Sequence, residues 1–149
     1  MSLSALFNSQ KSYLEQLEVL LESEQSELMS TGVNGDRLSQ LAEEKSGKIQ
    51  MLERLDLQRR NTQKQLGYTD DLQGTEQATK DAGCLSEWQD ILATAERVIH
   101  QNNVNGSLIE RQLTHNQKAL NTLTEVSGKP LYESDGRSPL NHSSVNSSA

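Results

Sequence analysis

The side chains with the clearest potential for chemistry near neutral pH are three histidines, His100, His115 and His142. His115 has Lys118 three residues further on, where an ammonium can stabilise a phosphoryl group carried on the imidazole, so His115 is a candidate histidine phosphotransfer site. Such a motif also uses a Gly to open access to the ring, and this chain has Ala119. The alternative is a solvated histidine on a helix. His100 has no Lys or Gly at matching offsets, and His142 lies in a Ser-rich end. No carboxylate stands in a Glu-x-x-His arrangement, and the pairs Glu43-Glu44 and Asp70-Asp71 read as solvated charge. Cys84 is the only cysteine, which excludes a disulfide framework and a thiolate metal site of ordinary spacing. At a helix start its pKa can fall, but without a committed base it reads as a packing or capping residue. The residues therefore point to no enzyme, no cofactor and no metal.

A second group offers hydrogen bonding in place of bond-breaking chemistry: Asn102-Asn103-Val104-Asn105-Gly106. Asn-Gly is ordinarily a strong turn signal. Here an apolar heptad pattern crosses it in phase, with inward positions at Trp88, Leu92, Ala95, Ile99, Asn102, Gly106, Ile109, Leu113, Asn116, Leu120 and Leu123. A loop would reset that count, so the spacing predicts one helix of about 43 residues, roughly 64 Å long. Asn and Gly on an inward face lower helix stability, Gly by about 1 kcal/mol relative to Ala. Asn102, Asn105 and Asn116 then either fix helix register or contact a partner, and Gly106 permits close approach of a neighbouring helix. Trp88 reads as a core anchor, with a partner-binding hot spot as the alternative.

The elements that position these residues follow from periodicity. Leu3, Phe7, Leu14, Leu17, Leu21 and Leu28 mark an amphipathic helix over about 3–30, widened by Leu6, Tyr13 and Leu20. Thr31 to Asp36 supplies glycines and an Asp able to cap the next helix, so the chain turns back there. A second helix over 36–66 carries Leu38, Leu41, Leu52, Leu55 and Leu66, with Ile49 and Met51 beside them and Lys45 and Lys48 near its centre. Residues 1–32 hold one Lys and five Glu, whereas residues 33–66 hold seven basic and five acidic groups, and the opposite charges favour pairing as a hairpin. Gly67 ends the second helix. Residues 67–83, with three Gly and four acidic groups, form a long connection with one helical turn expected near Thr75 to Asp81. The third long helix covers 84–127 and stops at Ser127-Gly128 before Lys129-Pro130.

The expected fold is all-α: an antiparallel bundle or coiled coil of three long helices, with a short fourth helix as an option in 67–83. Residues 1–127 form the bundle. Residues 128–149, with six Ser and both Pro, form a flexible tail. At 149 residues, 33% hydrophobic and with one Phe and one Trp, the core must be a narrow leucine seam. A net charge of −7 argues against nucleic acid or an anionic membrane surface, so the expected partner is a protein. The N-terminus lacks a basic region and a continuous apolar stretch, and no apolar run reaches about 18 residues, so the expected location is cytoplasmic. The last helix outreaches the other two, and an uncovered part of its seam is a contact surface for a second copy or another protein's helix.

Taken together, the Leu-rich hairpin, Trp88, Asn102 to Ile109, Asn116, Leu120 and the run Leu131-Tyr132-Glu133-Ser134-Asp135-Gly136 resemble the FlgN family of flagellar export chaperones. The resemblance spans residues 3–136. It implies a bacterial cytoplasmic protein that binds hook-filament junction proteins, prevents their premature assembly and delivers them to the flagellar type III export gate. It also implies substrate contact in the C-terminal part and gate docking through a post-helical Tyr, here Tyr132. The partner-binding residues expected on these grounds are Asn102, Asn105, Gly106, Ile109, Leu113, Asn116, Leu120, Leu123, Leu131 and Tyr132. The protein should be a monomer or weak homo-oligomer, with no membrane insertion. A self-associating structural coiled coil and the His115 phosphotransfer domain are the rival readings.

Overall fold

The computed structural model describes residues 2–127, which form four helices and no strand: α1 (Leu3–Leu28), α2 (Gly35–Gln65), α3 (Leu72–Asp81) and α4 (Leu85–Ser127). The all-α expectation holds, and the optional short helix in the 67–83 connection is α3. Helix α4 passes through Asn102 to Gly106 without interruption. Among the described residues, those up to Asn105 make one compact unit, and those from 106 to 127 belong to a second. No described helix is long and apolar enough to cross a membrane.

Local chemistry sets the helix ends in the first unit. The Ser2 hydroxyl accepts from the Ala5 N–H at 3.2 Å, occupying one of the donors left free at a helix start. Asn34 caps α2, its Oδ1 accepting from the Arg37 N–H at 3.1 Å. The expected cap was an Asp, but Asp36 lies inside the first turn of α2, where a carboxylate favours the positive end of the helix dipole. Asp71 caps α3 through the Gly74 N–H at 2.7 Å. Gly67 and Gly83 take positive φ, 91° and 71°, and terminate α2 and α3.

Three ties show the relative direction of α1 and the first half of α4. Lys11 meets Asp90 at 3.3 Å, Glu18 meets Arg97 at 2.9 Å, and Leu21 and Glu24 meet Asn105. Residue numbers rise together through these pairs, so the two helices are parallel. Helix α2 runs against them, with Lys45 at Glu24 and Asn102 and with Arg59 at Trp88. Up to Asn105 the chain is therefore an up-down-up bundle, with α3 inserted in the second return.

The core is the leucine seam that periodicity predicts for α1. Leu3, Phe7, Leu14, Leu17 and Leu21 are buried together with Ala78, Cys84, Ile91 and Val98, and Leu52, Tyr68 and Trp88 pack against them. Phe7 is wholly buried and its ring lies 5.5 Å from that of Trp88, in a tilted aromatic pair. Trp88 is thus the core anchor that its place in the heptad pattern predicts. In α2 the apolar face is weaker: Leu41 and Leu55 are buried, whereas Leu66, expected on the seam, is exposed.

The first half of α4 departs from the heptad pattern. The count puts Leu92, Ile99, Asn102 and Gly106 inward, but all four are exposed, and Ile91, Thr94, Val98 and Asn105 are buried. Two apolar lines overlap on this helix, and an apolar count favours the wrong one. The line that packs against α1 is the line whose asparagine finds polar partners there.

Candidate functional site

Two polar clusters hold the three long elements of the first unit together. In one, Glu24 is 3% exposed and its carboxylate accepts from Lys45 Nζ at 3.2 and 3.3 Å and from Asn105 Nδ2 at 2.8 Å. Asn105, 1% exposed, also donates to the Leu21 carbonyl at 2.9 Å and accepts from Gln101 Nε2 at 2.9 Å. Lys45 donates in addition to Asn102 Oδ1 at 3.3 Å. A buried carboxylate is tolerated only with such partners, because desolvation of an unpaired charge costs several kcal/mol, an order-of-magnitude figure.

The second cluster joins α2 to α3 and the start of α4. Arg59 donates to Asp56 Oδ1 at 2.8 and 3.3 Å, to Gln63 Oε1 at 2.9 Å and to the Thr75 hydroxyl at 3.1 Å. Its guanidinium lies 5.4 Å from the Trp88 ring centre, a cation–π distance. Gln63 donates to the Thr69 carbonyl at 2.6 Å. Sequence reasoning missed this cluster. The signal that could have found it is spacing: Arg59 and Gln63 stand four apart on the α2 line that also carries Leu41 and Leu55, so two polar residues fall at core positions.

The expected partner-binding residues divide between these ties and the surface. Asn105 is committed inside the bundle, and Asn102 is exposed with its oxygen on Lys45. Gly106 is exposed, and among the described residues a Cβ there would meet nothing within 4 Å. In the second unit Leu113 is 64% exposed, Leu123 55% and Ile109 37%, Leu120 is partly exposed and Asn116 exposed. At spacings of four and three these residues share one face of the helix. Leu131 and Tyr132 lie outside the described residues.

The candidate chemical groups are placed as follows. His115 and Lys118 are exposed on α4, as is His100. Cys84 is buried, and burial, with the charge of Glu87 adding to it, pushes its thiol pKa up and away from a nucleophilic thiolate. Among the described residues no group of three or more His, Cys, Asp or Glu is arranged to hold a metal ion.

Fold and surface together define a helical-bundle protein with a row of exposed aliphatic side chains on its longest helix. The chain belongs to the FlgN family: the family model described as FlgN protein matches residues 1–139. It is 29% identical over 140 residues to the flagella synthesis protein FlgN of Salmonella typhimurium, covering 94% of this chain and 92% of that one. The protein of the same name from Escherichia coli K12 is 26% identical with the same coverage of each. That of Yersinia enterocolitica is 32% identical over 83% of this chain and 80% of its own. No solved structure matches the chain.

Proposed function

We propose that this protein acts in flagellum synthesis as a cytoplasmic export chaperone. It binds hook-filament junction proteins, prevents their premature assembly and delivers them to the flagellar type III export gate. The observation that carries this reading, beside family membership, is the exposed aliphatic row Ile109, Leu113, Leu120 and Leu123. A client's amphipathic terminal helix buries its own apolar face by lying along such a row, which reads anchors at helical spacing. Asn116 lies on the same face and offers an amide to the client backbone; Asn102 is a further exposed amide on α4. Asn105 takes no part in contact because its polar atoms are occupied inside. Tyr132 is assigned to gate docking, and Leu131 beside it to partner binding. The protein acts without catalysis, cofactor or nucleic acid, as a monomer or weak homo-oligomer.

The experiment is co-purification of the full chain with C-terminal peptides of junction proteins, beside the variants Leu113→Asp and Leu123→Asp. Retention by the wild type and loss in both variants supports the reading. If the wild type retains no peptide, the carrier role has lost its basis. Tyr132→Ala tests the gate assignment separately: unchanged binding to the export gate removes Tyr132 from it.

A further inference from the structure

We propose that the buried cluster of Glu24, Lys45 and Asn105 is a rotational lock that decides which of two overlapping apolar faces α4 turns into the bundle. This lock lies within the residues up to Asn105 and is independent of the chaperone role.

The two faces are both written in the sequence. One carries Ile91, Thr94, Val98 and Asn105, and it is buried. The other carries Leu92, Ile99, Asn102 and Gly106, and it is exposed. Trp88 and Ala95 stand on this second line by spacing and are partly buried. Switching from one to the other needs a turn of the helix about its axis by roughly 100°, the angle between neighbouring residues, because the second line is the first displaced by one residue. On aliphatic content the exposed face has a small advantage, since Leu92 matches Ile91 and Ile99 is larger than Val98. Burial of apolar area alone therefore does not explain the arrangement.

Hydrogen bonding does. Glu24 and Asn105 are almost fully buried, and Asn105 Nδ2 lies 2.8 Å from the Glu24 carboxylate and 2.9 Å from the Leu21 carbonyl. Turning α4 to the other face would carry Asn105 out and bring its neighbour Gly106 towards Glu24. Glycine has no side chain to donate, so the carboxylate would keep Lys45 alone among these partners. Leaving a buried charged group short of a partner costs more than an apolar exchange returns. The flanking ion pairs Lys11–Asp90 and Glu18–Arg97 favour the same face, but they are exposed and contribute little. Register selection by a single inward polar residue is an established use of buried asparagine in helical assemblies. The lock keeps Leu92 and Ile99 at the surface although they are suited to a core.

Single-cysteine labelling of the full-length chain tests this. In a Cys84→Ala background, Val98→Cys and Ile99→Cys are reacted with a thiol reagent, alone and combined with Asn105→Ala, Glu24→Leu or Glu24→Gln. With the lock intact, the thiol at 99 reacts and that at 98 is protected. Asn105→Ala and Glu24→Leu should speed labelling at 98 by about tenfold or more, the factor equivalent to losing one charge-assisted hydrogen bond. Glu24→Gln, which still accepts from Asn105 but without the charge, should label at 98 more slowly than Glu24→Leu does. Labelling at 98 that is unchanged in both disrupting variants overturns the proposal, as does equal labelling at 98 and 99 with the lock intact. Circular dichroism accompanies each reaction. If Glu24→Leu loses its helical signal, the outcome with the milder Asn105→Ala decides.

Discussion

The smallest side chains decide the return between α2 and α4. A Cβ at Gly74 would run into the backbone carbonyl of Thr69, the same oxygen that accepts from Gln63. Gly74→Ala should therefore destabilise the protein by roughly 1–3 kcal/mol, measured as a lowered urea midpoint at unchanged slope. The same return holds a titrating pair. The Tyr68 hydroxyl donates to Asp81 at 2.6 Å, which raises the phenol pKa above its ordinary value of about 10, and Gln77 also donates to that carboxylate. Asp81 is correspondingly held below the usual carboxylate range by the Tyr68 and Gln77 bonds. Its stabilising contribution is present above the unfolded carboxylate pKa and is lost as pH falls through the lowered folded value. That of Tyr68 is present below its unfolded pKa and is lost as pH rises through the raised one. In an alkaline absorbance titration the latest tyrosine step should disappear in Tyr68→Phe, and an unaltered curve would show that the bond does not persist in solution. None of this is legible in the sequence. Gly74 and Tyr68 count there only as residues of a long connection, because the atoms they meet come together only after the return has folded.

At the scale of elements, α1 is legible almost residue by residue. Its six predicted seam positions are all buried, because leucine and phenylalanine recur there at helical spacing with polar residues between. Helix α4 is legible in extent but not in rotation. The distinction predicts opposite outcomes at adjacent residues: Val98→Asp should cost about 3 kcal/mol or more, and Ile99→Asp should stay within about 0.5 kcal/mol, both read from denaturant midpoints. Equal effects at the two positions would mean that the helix has no preferred face. The Asn-Asn-Val-Asn-Gly sequence is also resolved at this scale. Within it Asn105 ties α4 to α1, Asn102 meets Lys45 from the surface side, and a Cβ at Gly106 would have open space around it among the described residues.

For the whole molecule, the open question of function is what covers the exposed aliphatic row of α4. If a client helix is its occupant, static light scattering of the chain alone should give the mass of one copy, 16.6 kDa, at micromolar concentration. A stable dimer mass across dilution would instead make a second copy the occupant and favour the structural coiled-coil reading. The sequence by itself determined that the chain is all-α, that α4 crosses an apparent turn signal unbroken, and that the chain resembles the FlgN family. These follow from repeat spacing and residue order, which are properties of the chain alone. Only the tertiary structure decided which line of α4 is buried, where Arg59 and Glu24 find their partners, and that Asn105 faces inward. Periodicity identifies a helix and its apolar sectors, but two sectors about one residue apart in angle both carry aliphatic side chains, and apolar content favours the one left exposed. The choice between them falls to hydrogen-bond partners that another helix brings from about eighty residues away in the chain.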